Sequence, residues 1–554
     1  MCGIAGFISK NKKYNAYEIV NNMLCKMRYR GPDQIGLKTF GNVTLGMTRL
    51  SIIGKSKHTI PYEDSSGSYV IVYNGEIYNH NSIKDSLIFS YKFKTDSDAE
   101  TALYNYIEKG TDSFKDYNGM YAFAVCDAQG KNVYIVRDKA GEKPIYYVKG
   151  KDFFAFASEM KSLLEVVSPE FNRNAISYRA YEFTVGSETL FKNIYSLEPG
   201  EYIKANDKGF TKHEYWKIWD NLIDIQDNEK KIIKDLSELL EDAILLRTKN
   251  SVHQYGCFIS GGVDSSLVAC ISKPDFIYHV HYDYDDFDEL EYAQLIAKRI
   301  KRELKVIKPD KKDFIRTRDQ IAYHLDTPCT WTSFSLWMLL EHSCRDLKVV
   351  MNGDGADEIF SGYSRYMLLY HDEQIKQLES MSKYAYLVGR YYGSPVDRYA
   401  KLVNRCENQF DEQVNRYLDQ TISYYFEKTR ADVIHAMGLN DFYSTMQVLL
   451  QMADRLCMAF SIENRSPFLD YRLIQYAFSM PSKYKIRNGV TKWALKKVAR
   501  KFIPREIVDR IDKRGFSAPV NRWFEWDRTG KYNRSVYKSM AFEYWKKMFR
   551  VKNG

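Results

Sequence analysis

The sequence predicts an α+β sandwich followed by an α/β doubly wound parallel sheet with a largely helical C-terminal part. Residues 1–200 contain short β-branched or aromatic stretches bounded by Gly, Asn or Asp, which is typical of strands and turns. From residue 230 onward, apolar strands alternate with helical patterns, and this alternation indicates a parallel sheet. After residue 362 the patterns are mostly helical.

The first half is predicted to hold both strands and helices. The predicted strands are residues 43–45, 69–73, 120–125, 133–136 and 153–156. Helices are predicted at residues 17–27 and at 98–108, because apolar residues recur there with helical spacing. Residues 206–230 form a polar interval, so we predict two domains, residues 1–210 and 230–554.

The second half begins with an amphipathic helix, since apolar residues between 232 and 244 lie on one helical face. A glycine-containing loop separates the first strand of this half from the helix that follows it. The predicted strands are residues 255–259, 276–281, 304–307 and 347–351, with a helix at 290–300. This order places loops at the carboxyl ends of the strands, where doubly wound sheets bind ligands.

Composition narrows the classes of protein that the chain represents. The 554 residues carry 81 Lys and Arg against 71 Asp and Glu, a mild excess that suits small anionic substrates. Nine cysteines without a CxxC pair predict reduced thiols and a cytoplasmic protein. No apolar run reaches 18 residues, so we expect no membrane span. The basic stretch 483–514 lacks a recognition motif, so we expect no nucleic-acid partner.

The glycine loop is a candidate anion site because it joins a strand to the start of a helix. It reads Ser260-Gly261-Gly262-Val263-Asp264-Ser265. Glycines allow close approach of the backbone, and the helix N-terminus offers unpaired N–H groups. Asp264 fits beside a phosphate if Mg²⁺ lies between them. A second string after a strand, Asn352 to Glu358, offers carboxylates for Mg²⁺ or for positioning an amine.

Cys2 is a candidate nucleophile, because removal of Met1 would give it a free α-amine able to act as a local base. Nearby strings supply the rest of a glutamine-hydrolysing site. Arg49 suits a two-pronged contact with an α-carboxylate. Glu76 and Asp98 suit an α-ammonium. The Asn74 side chain and the Gly75 N–H suit an oxyanion hole.

These motifs resemble those of known enzymes over nearly the whole chain. The N-terminal strings resemble class II glutamine amidotransferases, whose N-terminal-nucleophile domain is an αββα sandwich. The glycine loop resembles the pyrophosphate-binding loop of the ATP-pyrophosphatase family. Together they resemble the glutamine-hydrolysing asparagine synthetase family, and further matching strings are 30–33, 137–144, 157–161, 353–363, 454–470 and 515–516.

The resemblance implies a two-step activity with small-molecule substrates, ATP and Mg²⁺, and it allows a homodimer. Cys2 would form a thioester with glutamine, and the released ammonia would pass through an internal tunnel. ATP would adenylate a carboxylate, and ammonia would then displace AMP to give an amide. Asp264 and Asp357 match Mg²⁺ ligands, whereas Val280 and Gly353 match positions near the adenosine. Lys513 matches a lysine that stabilises charge in adenylation, and Lys492 is another basic candidate.

The sequence departs from the family pattern at the amine and acceptor sites. Asp354 stands where some relatives carry a glutamate that binds ammonia or acts as a base, which keeps the chemistry and shortens the side chain. The segments 279–285 and 326–333 differ from the usual acceptor strings and carry larger polar residues. The acceptor is therefore either L-aspartate or another carboxylate, such as a uronic acid of a nucleotide sugar or surface glycan.

Two further alternatives concern activity itself. A regulatory paralogue with a dead site would be expected to lack Cys2, the glycine loop or Asp357, and all of them are present. If Met1 is retained, Cys2 has no free amine, and we expect weak or absent glutaminase activity with ammonia-dependent synthesis preserved. N-terminal sequencing followed by paired glutamine and ammonium assays tests this expectation.

Overall fold

The structure is a computed structural model, and it describes most of the chain. The described residues are 1–10, 13–52, 58–249, 253–284, 287–370, 394–406, 408, 410–430, 432–510, 517–524 and 531–552. Strands and helices below are numbered in chain order.

The first half of the chain contains two six-stranded antiparallel sheets. In sheet order, the first contains β10 (Tyr195–Ser196), β8 (Tyr146–Lys149), β9 (Phe153–Ala157), β1 (Cys2–Ser9), β3 (Val43–Arg49) and β2 (Gln34–Phe40). The second contains β12 (Gly209–Glu214), β11 (Glu201–Asn206), β7 (Val133–Arg137), β6 (Gly119–Asp127), β5 (Tyr69–Ile77) and β4 (Tyr62–Glu63). Strands β1 and β3 of the first sheet pack against β5 of the second.

Helices cover the outer faces of these two sheets. Helix α1 (Ala16–Lys26) packs against β1, β2 and β3, and helix α3 (Asp98–Lys109) packs against β5. The side chain of Ser97 caps α3 by accepting the N–H of Ala99. Shorter helices are α2 (His80–Ser86), α4 (Met160–Leu163) and α5 (Ile176–Tyr181). The layers therefore run helix, sheet, sheet, helix.

The second half is built on a five-stranded parallel sheet. Its spatial order is β15 (Leu304–Ile307), β14 (Phe276–Val280), β13 (Tyr255–Phe258), β16 (Val349–Met351) and β17 (Glu463–Arg465). After β13 the chain adds β14 and then β15 on one side of β13. It then crosses back and forms β16 on the other side of β13. The crevice between the carboxyl ends of β13 and β16 is therefore the topological switch point, where such sheets bind ligands.

Helices surround this sheet and make up most of the remaining chain. The first of them are α6 (Glu229–Lys249), α7 (Val263–Ser272), α8 (Leu290–Ile300), α9 (Lys311–Leu325), α10 (Trp331–Ser343), α11 (Ala356–Ile359) and α12 (Ser364–Tyr370). The later ones are Pro395–Val403, Glu412–Lys428, Val433–Tyr443, Thr445–Ala459, Tyr471–Ser479, Trp493–Ala499, Arg505–Val508, Val520–Trp523 and Lys531–Phe549. Among the described residues, no helix combines the length and apolarity required to cross a membrane.

The predicted fold class is confirmed: an αββα sandwich precedes a parallel α/β sheet and a mainly helical C-terminal part. The sandwich strands extend to Glu214, and α6 begins at Glu229. The strand at β17 was not among those predicted.

Buried ion pairs and an apolar cluster join the two halves. Arg30 contacts Glu159 at 2.9 Å and, across the interface, Asp454 at 2.8 Å. Lys143 lies 3.8 Å from the same Asp454 carboxylate. The apolar cluster combines Met1, Leu50, Ile52, Tyr78 and Met120 of the first half with Val349 and Met458 of the second. Removing one partner of a buried pair would leave an uncompensated charge, so these contacts fix the relative position of the halves.

Candidate functional sites: an N-terminal cysteine and a cavity at the parallel sheet

Cys2 lies at the start of β1, between β9 and β3 in the first sheet, and opposite Arg49. Its side chain is buried. Its N–H donates to Asn74 Oδ1 at 2.9 Å, and its carbonyl oxygen accepts from Arg30 Nε at 3.0 Å. The backbone of the candidate nucleophile is therefore held from both the second sheet and the interface between the halves.

Asn74 and Gly75 lie near the end of β5, facing Cys2. Asn74 Nδ2 is buried and has no hydrogen-bond partner among the described residues, which is a donor available to a ligand oxygen. Gly75 has a φ of +155°, and a Cβ there would lie 2.1 Å from the Met120 carbonyl oxygen. Only glycine fits this close approach. The structure thus brings the two predicted oxyanion-hole residues beside Cys2.

Two buried carboxylates, Glu76 and Asp98, lie beside this pair. The Asp98 carboxylate accepts hydrogen bonds from Tyr73 Oη at 2.5 Å and from the Ile77 N–H at 2.8 Å. Burial raises the pKa of Asp98, and burial followed by the charge of Asp98 raises the pKa of Glu76. A bound ammonium would relieve this repulsion, so the electrostatics suit the predicted α-ammonium site.

The other glutamine-site candidates are also close to Cys2. Arg49 is buried and donates through Nη1 to Gln34 Oε1 at 2.8 Å. Met1 precedes Cys2 in the structure, and its ammonium lies 3.5 Å from Glu463 Oε2. In this form the Cys2 nitrogen belongs to a peptide bond and is not basic.

A second site lies at the switch point of the parallel sheet. A cavity of about 850 Å³ opens there between the glycine loop and the Asn352–Glu358 string. Its wall includes the predicted residues Ser260, Gly262, Val263, Asp264, Ser265, Gly353, Asp354 and Asp357. Further cations line it in Lys492, Lys496, Lys497, Arg500 and Arg510. A concave, cation-lined crevice at this edge suits a ligand with several phosphates.

The glycine loop is shaped by its own hydroxyl groups. The Ser260 N–H donates to Ser265 Oγ at 3.2 Å, and the Gly262 N–H donates to Ser260 Oγ at 3.3 Å. A Cβ at Gly353 would lie 2.7 Å from Asp264 Cβ and 2.9 Å from the Ser265 nitrogen. The second loop therefore packs directly on the first because it carries glycine at this position.

Lys492, the second basic candidate of the sequence, lies between two of the predicted carboxylates. Its Nζ lies 2.6 Å from Asp264 Oδ2 and 2.6 Å from Asp357 Oδ1, and the residue is only 4% exposed. Its φ of +53° is unusual for a lysine, and such backbone strain is often retained at functional sites. No periodicity marked it, because it lies just before the short helix Trp493–Ala499 within a stretch of many cations.

Asp354 faces the same cavity and is held by a neighbouring amide. Asn352 Nδ2 donates to Asp354 Oδ2 at 2.7 Å, while the Asp354 N–H donates to Asn352 Oδ1 at 3.1 Å. Burial raises the pKa of Asp354 to about 6. A carboxyl group with this pKa is suited to exchange a proton near neutral pH.

The remaining predicted residues are less closely tied to the cavity. Gly261 lies in the loop with a φ of +74°, and its carbonyl oxygen accepts from Arg510 at 3.1 Å. Val280 is buried at the end of β14, in an apolar cluster that also contains the cavity residue Phe258. Lys513 lies outside the described residues.

The segment 326–333, which departs from the family pattern, extends from the interface between the halves to the cavity. Thr332 lines the cavity together with the apolar residues Leu336 and Met452. Asp326 is instead fully buried and lies 2.9 Å from Lys161 of the first half. Of this segment, the part near Thr332 is thus the part that lines the cavity.

In a comparison with known proteins, each half of the chain matches a protein-family model. Residues 1–216 match the glutamine amidotransferase domain model, and residues 235–547 match the asparagine synthase model. Asparagine synthetase [glutamine-hydrolyzing] 1 of Bacillus subtilis is 29% identical over 95% of this chain and 88% of its own length. Putative asparagine synthetase [glutamine-hydrolyzing] 2 of Methanocaldococcus jannaschii is 30% identical over 68% of this chain and 78% of its own length. With its N-terminal cysteine site and its cation-lined cavity on a parallel sheet, the chain belongs to the asparagine synthase family and carries a glutamine amidotransferase domain at its N-terminal end.

Proposed function

We propose that the protein makes an amide from a carboxylate, using glutamine as nitrogen donor and ATP as energy source, with L-aspartate as the acceptor that gives L-asparagine. The observation that carries the proposal is the pairing of two sites in one chain. Cys2 lies beside Asn74 and the Glu76–Asp98 pair, and buried contacts join that half to the cavity around Lys492. Ammonia released at the first site would be consumed at the second.

At the first site, Cys2 Sγ attacks the side-chain amide carbon of glutamine. The oxygen that becomes negative accepts hydrogen bonds from Asn74 Nδ2 and the Gly75 N–H. Arg49 holds the α-carboxylate, and Glu76 with Asp98 holds the α-ammonium. Removal of Met1 frees the Cys2 amine, which takes the thiol proton and passes it to the departing ammonia. Water then releases glutamate from the thioester.

At the second site, the acceptor carboxylate attacks the α-phosphorus of ATP and pyrophosphate leaves. The glycine loop Ser260–Ser265 holds the departing phosphates through its N–H and hydroxyl groups. Lys492 stabilises the negative charge that develops on the α-phosphate as the adenylyl group is transferred. Ammonia then attacks the acyl-adenylate carbon, AMP leaves, and Asp354 takes the extra proton of the amine.

Asp264 and Asp357 fit a Mg²⁺ ion that arrives with ATP. Both carboxylates lie on the cavity wall within 2.6 Å of the same Lys492 cation, so two hard oxygen donors converge there. Mg²⁺ is usually bound by one or two carboxylates together with substrate phosphates. No cluster of three or more metal-binding side chains occurs within the described ranges, which agrees with a site completed by the nucleotide. The ion would neutralise phosphate charge.

The apolar cluster between the sites supports a route for ammonia. Met1, Leu50 and Met120 of this cluster belong to the half that holds Cys2, and Val349 and Met458 belong to the half that holds the cavity. Neutral ammonia crosses such a surface more readily than ammonium does, because an unpaired charge is costly to bury.

A second acceptor class is compatible with one part of the cavity wall. Beside Thr332 the cavity wall is apolar, formed by Leu336, Met367, Leu449, Met452 and Ala453. The α-carboxylate and α-ammonium of aspartate would need charged partners if they faced this wall. A carboxylate on a neutral sugar ring, such as a uronic acid of a nucleotide sugar or surface glycan, would not need charged partners at this wall.

An acceptor panel decides between these classes. The enzyme would be incubated with ATP, Mg²⁺ and glutamine, and AMP release measured with L-aspartate, glucuronic acid and UDP-glucuronic acid. We expect L-aspartate to give AMP stoichiometric with glutamate. AMP release with a uronic acid and none with aspartate would replace aspartate as the acceptor. No AMP release with any carboxylate would contradict the proposed function.

Asn74 provides a test of the first half-reaction. Asn74→Ala should lower kcat for glutamate release about 10²–10³-fold, the usual effect of losing one oxyanion-hole donor. Synthesis from ammonium chloride should be unaffected, because that route bypasses the thioester. The matched control is Asn79→Ala, whose amide contacts the Asp116 carbonyl oxygen. Equal losses in both variants would argue against the oxyanion role.

A further inference from the structure

The three-residue strand β17 is shared by the two sites. Successive side chains of a strand point to opposite faces. Glu463 and Arg465 therefore face the glutamine site, whereas Asn464 faces the cavity, whose wall it joins. All three residues are buried. Strand β17 thus contacts both Glu76 of the glutamine site and the Asn352 loop of the cavity.

On the glutamine side, Arg465 lies between two carboxylates. Its Nε donates to Glu463 Oε1 at 2.7 Å, and its Nη2 lies 3.6 Å from Glu76 Oε2. Glu76 is also one of the two groups proposed to hold the α-ammonium of glutamine. The α-ammonium of bound glutamine and Arg465 would therefore compete for the Glu76 carboxylate. Glutamine binding would thus change the electrostatic environment of the Arg465 side chain.

On the cavity side, Asn464 contacts the side-chain amide of Asn352, which in turn contacts Asp354. Asn352 Nδ2 donates to Asn464 Oδ1 at 2.7 Å and to Asp354 Oδ2 at 2.7 Å. Asn352 Oδ1 accepts from Ser466 Oγ at 3.0 Å. The Asn352 N–H donates to the Arg465 carbonyl oxygen at 3.1 Å. A shift of β17 would thus move Asn352, and with it the carboxylate of Asp354.

We propose that Arg465 and Asn464 are positioning residues that make the placement of the Asp354 carboxylate depend on whether glutamine occupies the first site. The inference rests on the proposed function, in which Asp354 takes a proton from the attacking ammonia. Glutamine draws Glu76 away from Arg465, β17 adjusts, and the Asn464–Asn352 contact transmits the change. Thermodynamic linkage then requires that ligands in the cavity alter glutamine binding by the same factor.

The test uses glutamine as a ligand that cannot react. In Cys2→Ala, ammonium chloride supplies the nitrogen, and pyrophosphate release is measured with ATP, Mg²⁺ and the acceptor from the panel. We expect saturating glutamine to change KM for ammonium at least about fivefold, the lower end of typical coupling, with a smaller change in kcat. Calorimetry confirms that glutamine is bound.

Two substitutions of Asn464, each added to Cys2→Ala, test whether this residue transmits the coupling. Adding Asn464→Ala should make KM for ammonium independent of glutamine, while calorimetry still detects glutamine binding. Adding Asn464→Asp should restore the response, because Asp keeps the oxygen that accepts from Asn352. The matched control is Tyr181→Phe, which removes the 3.1 Å hydrogen bond from Tyr181 Oη to Asn440 Oδ1 across the same interface. It should keep the response.

The outcomes separate the inference from the function on which it rests. A Cys2→Ala enzyme that binds glutamine without any change in KM for ammonium overturns the coupling, as does a full response in Asn464→Ala or none in Asn464→Asp. If every variant and the parent chain release no pyrophosphate with any acceptor, the proposed function itself fails and the coupling with it.

Discussion

Cys2→Ala is expected to abolish glutamine-dependent amide formation while ammonium-dependent formation continues at close to the parent rate. Loss of the nucleophile removes the only covalent route to ammonia in the proposed mechanism, so glutamate release should fall by at least about 10³-fold. Cys2 is not among the described residues that line the cavity around Lys492, and the substitution removes a single buried sulfur. Glutamate and pyrophosphate, measured separately, check both statements.

Two controls keep this experiment specific. Cys25→Ala removes an exposed thiol in α1 and should leave both activities within about twofold, as surface substitutions usually do. N-terminal sequencing establishes whether Met1 has been removed, because a retained Met1 would suppress glutaminase activity even with the thiol present. Glutamine-dependent synthesis that persists in a correctly processed Cys2→Ala enzyme would rule out Cys2 as the nucleophile.

Much of the architecture could be predicted because local patterns and tertiary structure agree. The residues 69–73 are β-branched or aromatic and became part of β5, and the strand at 304–307 has the predicted bounds. The apolar spacing at 98–108 became α3 with one residue added. At these places propensity and burial favour the same element, which is the usual condition for a correct prediction.

Sequence patterns could not reveal the residues that act through charge. The strand Glu463–Arg465 consists of three polar residues, which neither alternate in hydrophobicity nor favour strands. It is stable in the sheet because Arg465 pairs both with its neighbour Glu463 and with Glu76, and Glu76 comes from a distant part of the chain. Lys492 could be named from the sequence only as one basic candidate among many cations, because its two carboxylate partners are 135 and 228 positions away.

The pairing of Cys2 with Asn74 and Gly75 was nevertheless accessible from sequence, because each residue type has a chemical role that few others fill. Spacing said nothing about the distance between them. The structure supplies that distance, since Cys2 donates its N–H to Asn74 Oδ1 across 72 positions of chain. The chemical roles of residue types can therefore predict which residues form a site, whereas ion pairs between distant parts of the chain are recognised only from the structure.

Lys492→Met is expected to abolish both glutamine-dependent and ammonium-dependent synthesis. Lys492 is the cation within 2.6 Å of both Asp264 and Asp357, so its loss removes charge stabilisation where the phosphoryl group is transferred. We expect kcat for pyrophosphate release to fall about 10²–10³-fold, as for other preorganised groups that meet transition-state charge. Glutamate release at the first site should remain, because Lys492 lies in the cavity wall of the other half.

Unfolding is the competing explanation, since Lys492→Met leaves two close carboxylates without their shared cation. Lys492→Arg keeps the charge and should preserve the melting temperature, yet its planar head cannot reproduce the compact contact of an ammonium with two carboxylates. We therefore expect Lys492→Arg to fold and to remain at least about tenfold slower than the parent. Thermal unfolding measured beside the pyrophosphate assay separates the two effects.

Two other lysines complete the comparison. Lys483→Met removes an exposed partner of Asp227 in the same basic stretch and should change the rate less than about twofold, because exposed pairs contribute little. Lys513→Met tests the lysine that the family pattern favours. A large loss in Lys513→Met with a near-parent rate in Lys492→Met would transfer the charge-stabilising role to Lys513. The reverse result would assign that role to Lys492, the cation that already lies between the two carboxylates.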